Sequence, residues 1–320
     1  MERNFEKSLC LGTGIPFVLL LLLISVPNAI ILVAFYRNPL RCFRKAFSVF
    51  LIFITAVDLF VGIVVCSGEA VMRFLCAFGD YKLPQDGDIV KVLGYIGVNS
   101  SILLVTAMSV DRFISVVYPI FYLCKVKPRK LILCNTIIVV FSSIFASLQL
   151  TGISIDIYLL IDIHLHTTFP IATTTLAYLG IFVALKKRSR VDLQRQSITA
   201  RNSRLRDMRQ LKIAQMERKF ATTSFCILLF VIISLVPYFV AVIIEANCSV
   251  CRGQKWLFVL KESFVIFLFL NSTVNPLLTT FRINELKHSV KVVLRLRRQS
   301  DVNSVGSFLP PTSLGDAVSN

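Results

Sequence analysis

The sequence predicts an all-α membrane protein, a bundle of seven transmembrane helices followed by a short amphipathic eighth helix. Three observations carry the prediction. Hydrophobic residues make up 55% of the 320 residues, with 26 Phe and a mean hydropathy of +0.74, which excludes an ordinary soluble domain. Seven apolar runs are long enough to cross a bilayer, since about 20 apolar residues cover about 30 Å of hydrocarbon. Lys and Arg gather after every second run, the pattern expected when alternate loops face the cytosol.

The first run, Ile15 to Tyr36, carries no charged residue. Its stretch Val18 to Ile24 looks like the core of a signal peptide, but the full run is too long for one and its basic cluster follows it, so it reads as a retained helix. The second run, Ala46 to Gly68, carries only Asp58, and the third, Ile89 to Val110, only Lys91. Leu131 to Leu185 holds 55 residues with two Asp and two His, too long for one helix. It divides into a fourth span over 131–151 and a fifth over 157–185, joined by a short turn near Thr151-Gly152. Phe220 to Ile244 and Ser263 to Phe281, both free of charge, are spans 6 and 7. The resulting division is an extracellular amino terminus over 1–14, a seven-helix domain over 15–281, an amphipathic helix over 282–298 and a disordered cytosolic tail over 299–320. In the amphipathic helix Ile283, Leu286, Val290 and Val293 form one stripe, and Lys287, Lys291 and Arg295 another, which suits a helix lying on the inner leaflet.

Arg37, Arg41, Arg44 and Lys45 follow span 1; Lys125, Lys127, Arg129 and Lys130 follow span 3; and 12 basic residues lie between Lys186 and Lys219, after span 5. The positive-inside rule then puts the amino terminus outside and the carboxyl terminus inside, and much of the +17 formal charge is topological. The basic stretch 186–219 has two readings, a solvated inner face against anionic membrane lipid and partner docking at its ends. Nucleic acid is not an expected partner. Cys42, Cys124, Cys134 and Cys226 fall where small apolar packing is the rule. Cys248 and Cys251, outside between spans 6 and 7, are placed to close a tight loop as a disulfide in an oxidising compartment. Cys10, Cys66 and Cys76 are left to pair or to stay free.

Polar groups and prolines at bilayer depth persist only where something offsets their cost. Here they come in a fixed order: Asn28 in span 1; Asp58 within Thr-Ala-Val-Asp-Leu; Asp111-Arg112-Phe113 followed by Tyr118-Pro119 at the end of span 3; Pro170 and Tyr178 in span 5; Pro237 in span 6; and Asn271-Ser272-Thr-Val-Asn275-Pro276 in span 7. Over residues 15–290 this series resembles the landmarks of rhodopsin-like G-protein-coupled receptors. The resemblance implies a plasma-membrane receptor that binds an extracellular ligand and activates a heterotrimeric G protein by outward movement of helix 6. It makes Asp111, Arg112, Phe113, Glu217 and Tyr178 the lock and coupling residues. It also implies a receptor kinase and arrestin acting on the tail, at Ser300, Ser304, Ser307, Thr312 and Ser313.

The residues support these roles independently. Glu217 stands twenty positions before Pro237, about 30 Å along a helix, which brings it to the depth of Arg112. An Arg112–Glu217 bond would hold spans 3 and 6 together at rest, with Asp111 gripping Arg112 from its own helix; the alternative is an arginine snorkelling to headgroups. Asp58 has to be protonated, paired or bound to a cation, and Ser101, Asn271, Ser272 and Asn275 are the oxygen-bearing residues that can meet it. This set is similar to the family's sodium pocket, which implies Na⁺ as an allosteric ion; a water-filled network without a specific ion is the other reading. Pro170, Pro237 and Pro276 each remove a backbone hydrogen bond and kink their helix, so the inner half of span 6 can swing.

Departures from the family pattern bear on ligand and efficacy. Phe113 and Thr279 stand where relatives carry tyrosine and Leu235 where tryptophan is usual, so a weakly signalling or constitutively biased receptor is the second reading. The family's usual disulfide cannot form, because no cysteine stands at the outer end of span 3 or between spans 4 and 5. That is similar to the melanocortin, lipid, cannabinoid and adenosine-like branch, whereas Pro170 and Asn275, which parts of that branch lack, point the other way. Phe269 stands where relatives that bind retinal carry a lysine and Gly94 where amine receptors carry an aspartate, so neither an opsin nor a conventional biogenic-amine receptor is expected. The pocket candidates are Glu69, Lys91, Tyr95, Val98, Asp162, His166, Tyr238, Phe239, Val242 and Glu262. Asp162 and His166, four apart, make either an inward titratable pair or a contact on the helix surface. Acids outnumber bases on the outer side, favouring a cationic peptide or small cation, with a divalent ion as an addition. No catalytic constellation or metal motif occurs, since His164 and His166 lean apart, and an enzyme is not expected. A transporter, a distant alternative, would need inverted repeats or several broken helices.

Overall fold

At bilayer depth each backbone N–H and C=O has to be satisfied within its own segment, and the apolar runs accordingly fold as helices. The computed structural model describes residues 3–37, 46–79, 81–83, 87–198, 225–226, 229–230, 232–245, 247–251, 253–282 and 284–294. Span 1 is α1 (Arg3–Arg37). Span 2 is α2 (Ala46–Phe60) and α3 (Ser67–Phe78), joined by a π-helical segment, Val61–Cys66. Span 3 is α4 (Ile89–Val117), followed by the short α5 (Pro119–Lys125), and span 4 is α6 (Pro128–Ser147). Span 5 is α7 (Ile155–Ile163) and α8 (Phe169–Ile198), joined by a second π segment, His164–Thr168. The described part of span 6 is α9 (Ile232–Glu245). Span 7 is α10 (Lys255–Arg282), and α11 (Asn284–Val293) follows it. Six of these spans are long and apolar enough to cross a membrane within the described residues, and α9 is a shorter apolar helix. The protein is a seven-helix membrane bundle.

The turn between spans 4 and 5 falls at Gly152, whose φ of +80° is a left-handed conformation that favours glycine. Span 2 is wedged between its neighbours at another glycine. A Cβ on Gly97 of α4 would come within 2.3 Å of Val61 Cγ2, so the π segment and α4 approach as only glycine allows. The core runs through this region, with Phe17, Ile24, Phe50, Val61, Val65 and Leu104 all inaccessible or nearly so.

Two boundaries differ from expectation. The first helix begins at Arg3 instead of Ile15, because its early turns bury Cys10, Thr13, Gly14 and Phe17 along the side of α3. Cys10 is bonded to Cys76, and Leu83 N donates to Glu6 Oε1 at 3.2 Å. The second span continues past Gly68 to Phe78. Cys66 stays a buried free thiol, and Cys248 and Cys251 form the expected disulfide. Both disulfides lie at one end of the bundle, where Phe258 of α10 packs on the Cys10–Cys76–Leu83 cluster and Lys255 Nζ lies 5.3 Å from the Phe5 ring centroid. In α11, Leu286 and Ser289 are buried and Lys291 is exposed, so its apolar stripe faces the bundle. Glu217, most of the basic stretch 186–219, Ile283, Arg295 and the tail over 299–320 lie outside the described residues.

The Cys10–Cys76 bond closes a span of 66 residues, so replacing both cysteines by serine lowers stability by about 2–4 kcal/mol, whereas the Cys248–Cys251 pair, three apart, contributes far less. Thermal unfolding of the two double-serine variants in detergent checks the order.

Candidate functional site

The bundle holds three polar layers, and α4 runs through all of them. The first is a charge quartet near the disulfide end. Arg73 is fully buried; its Nε donates to Glu69 Oε2 at 3.1 Å, one terminal nitrogen to Glu262 Oε2 at 2.6 Å and the other to Thr13 Oγ1 at 2.6 Å. Its guanidinium carbon sits 4.8 Å from the Phe17 ring centroid. Lys91 Nζ lies 3.7 Å from Glu69 Oε1 and 3.9 Å from Glu262 Oε1. Two acids and two bases sum to zero, so Glu69 and Glu262 do not contribute to the acid excess expected at this end. Arg73 is the member that sequence reasoning missed. Its signal was the spacing of four from Glu69, which puts both on one helix face once α3 is known to reach Phe78.

Beside the quartet is a pocket of about 470 Å³, counted to its open mouth. Of the predicted residues Glu69, Lys91, Tyr95, Val98, Asp162, Tyr238 and Phe239 line it, and Asn99, Leu235 and Phe269 join them. Tyr95 and Tyr238 meet hydroxyl to hydroxyl at 3.1 Å, linking α4 to α9. The other three candidates lie off this wall. Glu262 turns to Arg73, Val242 packs in the core, and His166 stands behind Asp162 against Phe145, ring centroids 5.2 Å apart. Asp162 and His166 form the inward pair, not the surface contact. Asp162 Oδ1 accepts from Asn99 Nδ2 at 2.8 Å and lies 2.9 Å from His166 Nδ1, and all three residues are buried. His164, two positions away, is exposed.

The second layer centres on Asp58, which is inaccessible to solvent. Ser272 Oγ donates to its Oδ1 at 2.7 Å, Asn275 Nδ2 to its Oδ2 at 2.9 Å, and Ser101 Oγ to its Oδ1 at 3.4 Å. Asn271 stands apart from the carboxylate, with its Oδ1 buried and unpartnered among the described residues. Asn28 ties in span 1, donating to the backbone oxygens of Ile24 at 2.9 Å and Ser272 at 3.2 Å.

The third layer lies at the opposite end of α4. Arg112 Nε donates to Asp111 Oδ2 at 3.0 Å, and a terminal nitrogen bonds the same oxygen. That nitrogen also donates to Tyr122 OH at 3.0 Å, and the phenol in turn donates to Asp111 Oδ1 at 2.9 Å. Tyr122 comes from α5, a helix restarted by Pro119 at its first turn, and sequence reasoning passed over it as loop. Burial, against the lowering pull of the Arg112 guanidinium, pushes its phenol up to about 12, so near neutral pH it donates a full O–H. Phe113 packs edge-on to Tyr118 and against Gly180, where a Cβ would fall 2.3 Å from its ring. Tyr178 meets Ser109 at 3.2 Å, oxygen to oxygen. Among the described residues no group of three or more His, Cys, Asp or Glu is placed to hold a metal ion.

Residues 27–158 and 153–278 match the family model described as 7 transmembrane receptor (rhodopsin family). No curated protein matches the chain.

Removing one partner of a buried ion cluster leaves charge without compensation. Arg73→Ala lowers stability by about 3–5 kcal/mol, and adding Glu262→Gln to it, which leaves Lys91 with Glu69 alone, recovers part of the loss. Melting curves of the single and double variants read this directly.

Proposed function

The chain belongs to the rhodopsin family of seven-transmembrane receptors, and from that membership we propose that it is a plasma-membrane receptor whose ligand pocket drives a heterotrimeric G protein through movement of span 6. The observation that carries the reading is the series of buried contacts along one helix. Asn99 reaches Asp162 at the pocket, Ser101 reaches Asp58 in the middle, Ser109 reaches Tyr178, and Asp111 sits in the Arg112–Tyr122 clasp. A helix that touches pocket and clasp at once can bias both.

In this reading the disulfide end faces outside, because disulfides persist in an oxidising compartment, and the basic segments face the cytosol. A ligand in the pocket loosens or tightens the Tyr95–Tyr238 contact. Pro237, one residue from Tyr238, supplies the hinge, and the far half of span 6 carries Glu217 away from Arg112. The opened cleft receives the G protein. Na⁺ suits the Asp58 layer, where the carboxylate and the hydroxyl oxygens of Ser101 and Ser272 are hard donors. Kinase and arrestin act on the tail, and the basic face of α11 meets anionic membrane lipid.

The second reading, a weakly signalling or constitutively biased receptor, draws on Leu235. It lines the pocket where the family usually has a tryptophan, so a smaller side chain transmits ligand contact to span 6.

Nucleotide exchange on purified G protein, with membranes bearing each variant, tests the proposal. An ion pair of this kind holds about 1 kcal/mol, so Glu217→Ala raises basal exchange about fivefold. Arg112→Ala suppresses it, and Tyr122→Phe, which loosens the clasp, shifts it in the direction of Glu217→Ala. Solute flux into sealed vesicles without any exchange would favour the transporter instead.

A further inference from the structure

We infer that Asp162 anchors a small organic cation, a protonated amine on an aromatic or apolar body, in the pocket between α4, α7 and α9. The inference rests on the receptor reading and names the ligand class for its pocket.

The acids at this end of the bundle differ in what they have left to offer. Glu245 is held by Lys261 at 3.0 Å, and Glu69 and Glu262 share Arg73 and lie within 4 Å of Lys91. Asp162 has no cationic Lys or Arg beside it among the described residues. Its Oδ1 takes both Asn99 and His166, while its Oδ2 is buried without any hydrogen-bond partner among those residues. A buried carboxylate oxygen with no donor is rare in folded proteins, and here it belongs to a pocket wall. His166 Nδ1 faces Asp162 Oδ1, and its Nε2 is bare among Phe141 and Phe145. The remaining need is a positively charged donor from the pocket side.

The other walls fit the rest of such a ligand. Tyr95, Tyr238, Phe239 and Phe269 present aromatic surface that receives both a cation and an aryl body. Lys91, the cation on this wall, has its charge offset by two glutamates, so an anion would compete with both of them.

The test uses the full chain in nanodiscs, with thermal stability as a readout that needs no G protein. The probes are 2-phenylethylamine, its neutral isostere 2-phenylethanol and the anion 3-phenylpropionate. The amine stabilises wild type at a concentration about tenfold or more below that of the alcohol, the share of a charge-assisted bond. Asp162→Asn abolishes that difference, Asp162→Glu keeps part of it, and Asp156→Asn, an exposed acid on the same helix, leaves it as in wild type. The wild-type comparison of amine with alcohol stands even if a variant does not fold. Equal action of amine and alcohol, preferential stabilisation by the anion that Lys91→Gln removes, or no stabilisation by millimolar amine overturns the inference. Basal nucleotide exchange by wild type in the same nanodiscs is scored separately, and its absence counts against the receptor reading alone.

Discussion

A carboxylate, guanidinium or amide at bilayer depth has no water to turn to, so each has to find a partner on a neighbouring helix, and those partnerships set how the helices sit against one another. Apolar packing alone does not fix the rotation of a helix whose every face is greasy. In this chain Asp58 specifies how α2 meets α10, Asn28 how α1 meets α10, and Asp162 how α7 meets α4. The polar layers act as pins through an otherwise slippery bundle.

The charge quartet shows the same logic with larger forces. Replacing a largely buried ion cluster by apolar side chains would be neutral or even stabilising in many proteins, so the quartet is poor evidence for stability as such. Its geometry argues for specificity: Arg73 bridges its own helix to α1 through Thr13 and to α10 through Glu262, three helices fastened at one nitrogen cluster. The Cys10–Cys76 bond fastens α1 to α3 again near the end of the bundle. Between them they hold the end of the molecule that lacks the disulfide usual in the family.

Much of this was legible in the sequence, for a physical reason. Hydropathy reads span existence directly, because the bilayer imposes one length and one solvent, and three of the four expected partners of Asp58 (Ser101, Ser272 and Asn275) meet it while Asn271 does not. Gly152 was legible because a single left-handed turn separates two helices within one apolar stretch. What was hidden has reasons too. Ending span 2 at Gly68 turned Arg73 into a loop base and left Glu69 and Glu262 as unpaired acids, which produced an acid excess that the fold cancels. Tyr122 lay in an apparent loop, since a seven-residue helix has no periodicity to show. The two π segments leave no mark in composition, and no spacing rule pairs Cys10 with Cys76.

The joint most able to move can be argued from how the helices interlock. Phe113 of α4 fills the space over Gly180 of α8 so closely that not even a methyl group fits between them, and Ser109 meets Tyr178 across the same interface. Packed surfaces of this kind shift together or not at all. By contrast α9 meets α4 in the pocket partly through a pair of hydroxyls, a bond that can be exchanged for one to a ligand at little net loss. Pro237 sits beside that contact and has no N–H to contribute to its helix, so the helix bends more readily at the hydroxyl pair. On the receptor reading, ligand chemistry at Tyr238 and backbone compliance at Pro237 therefore act at a single point, and α4 with α8 forms the fixed frame against which span 6 turns.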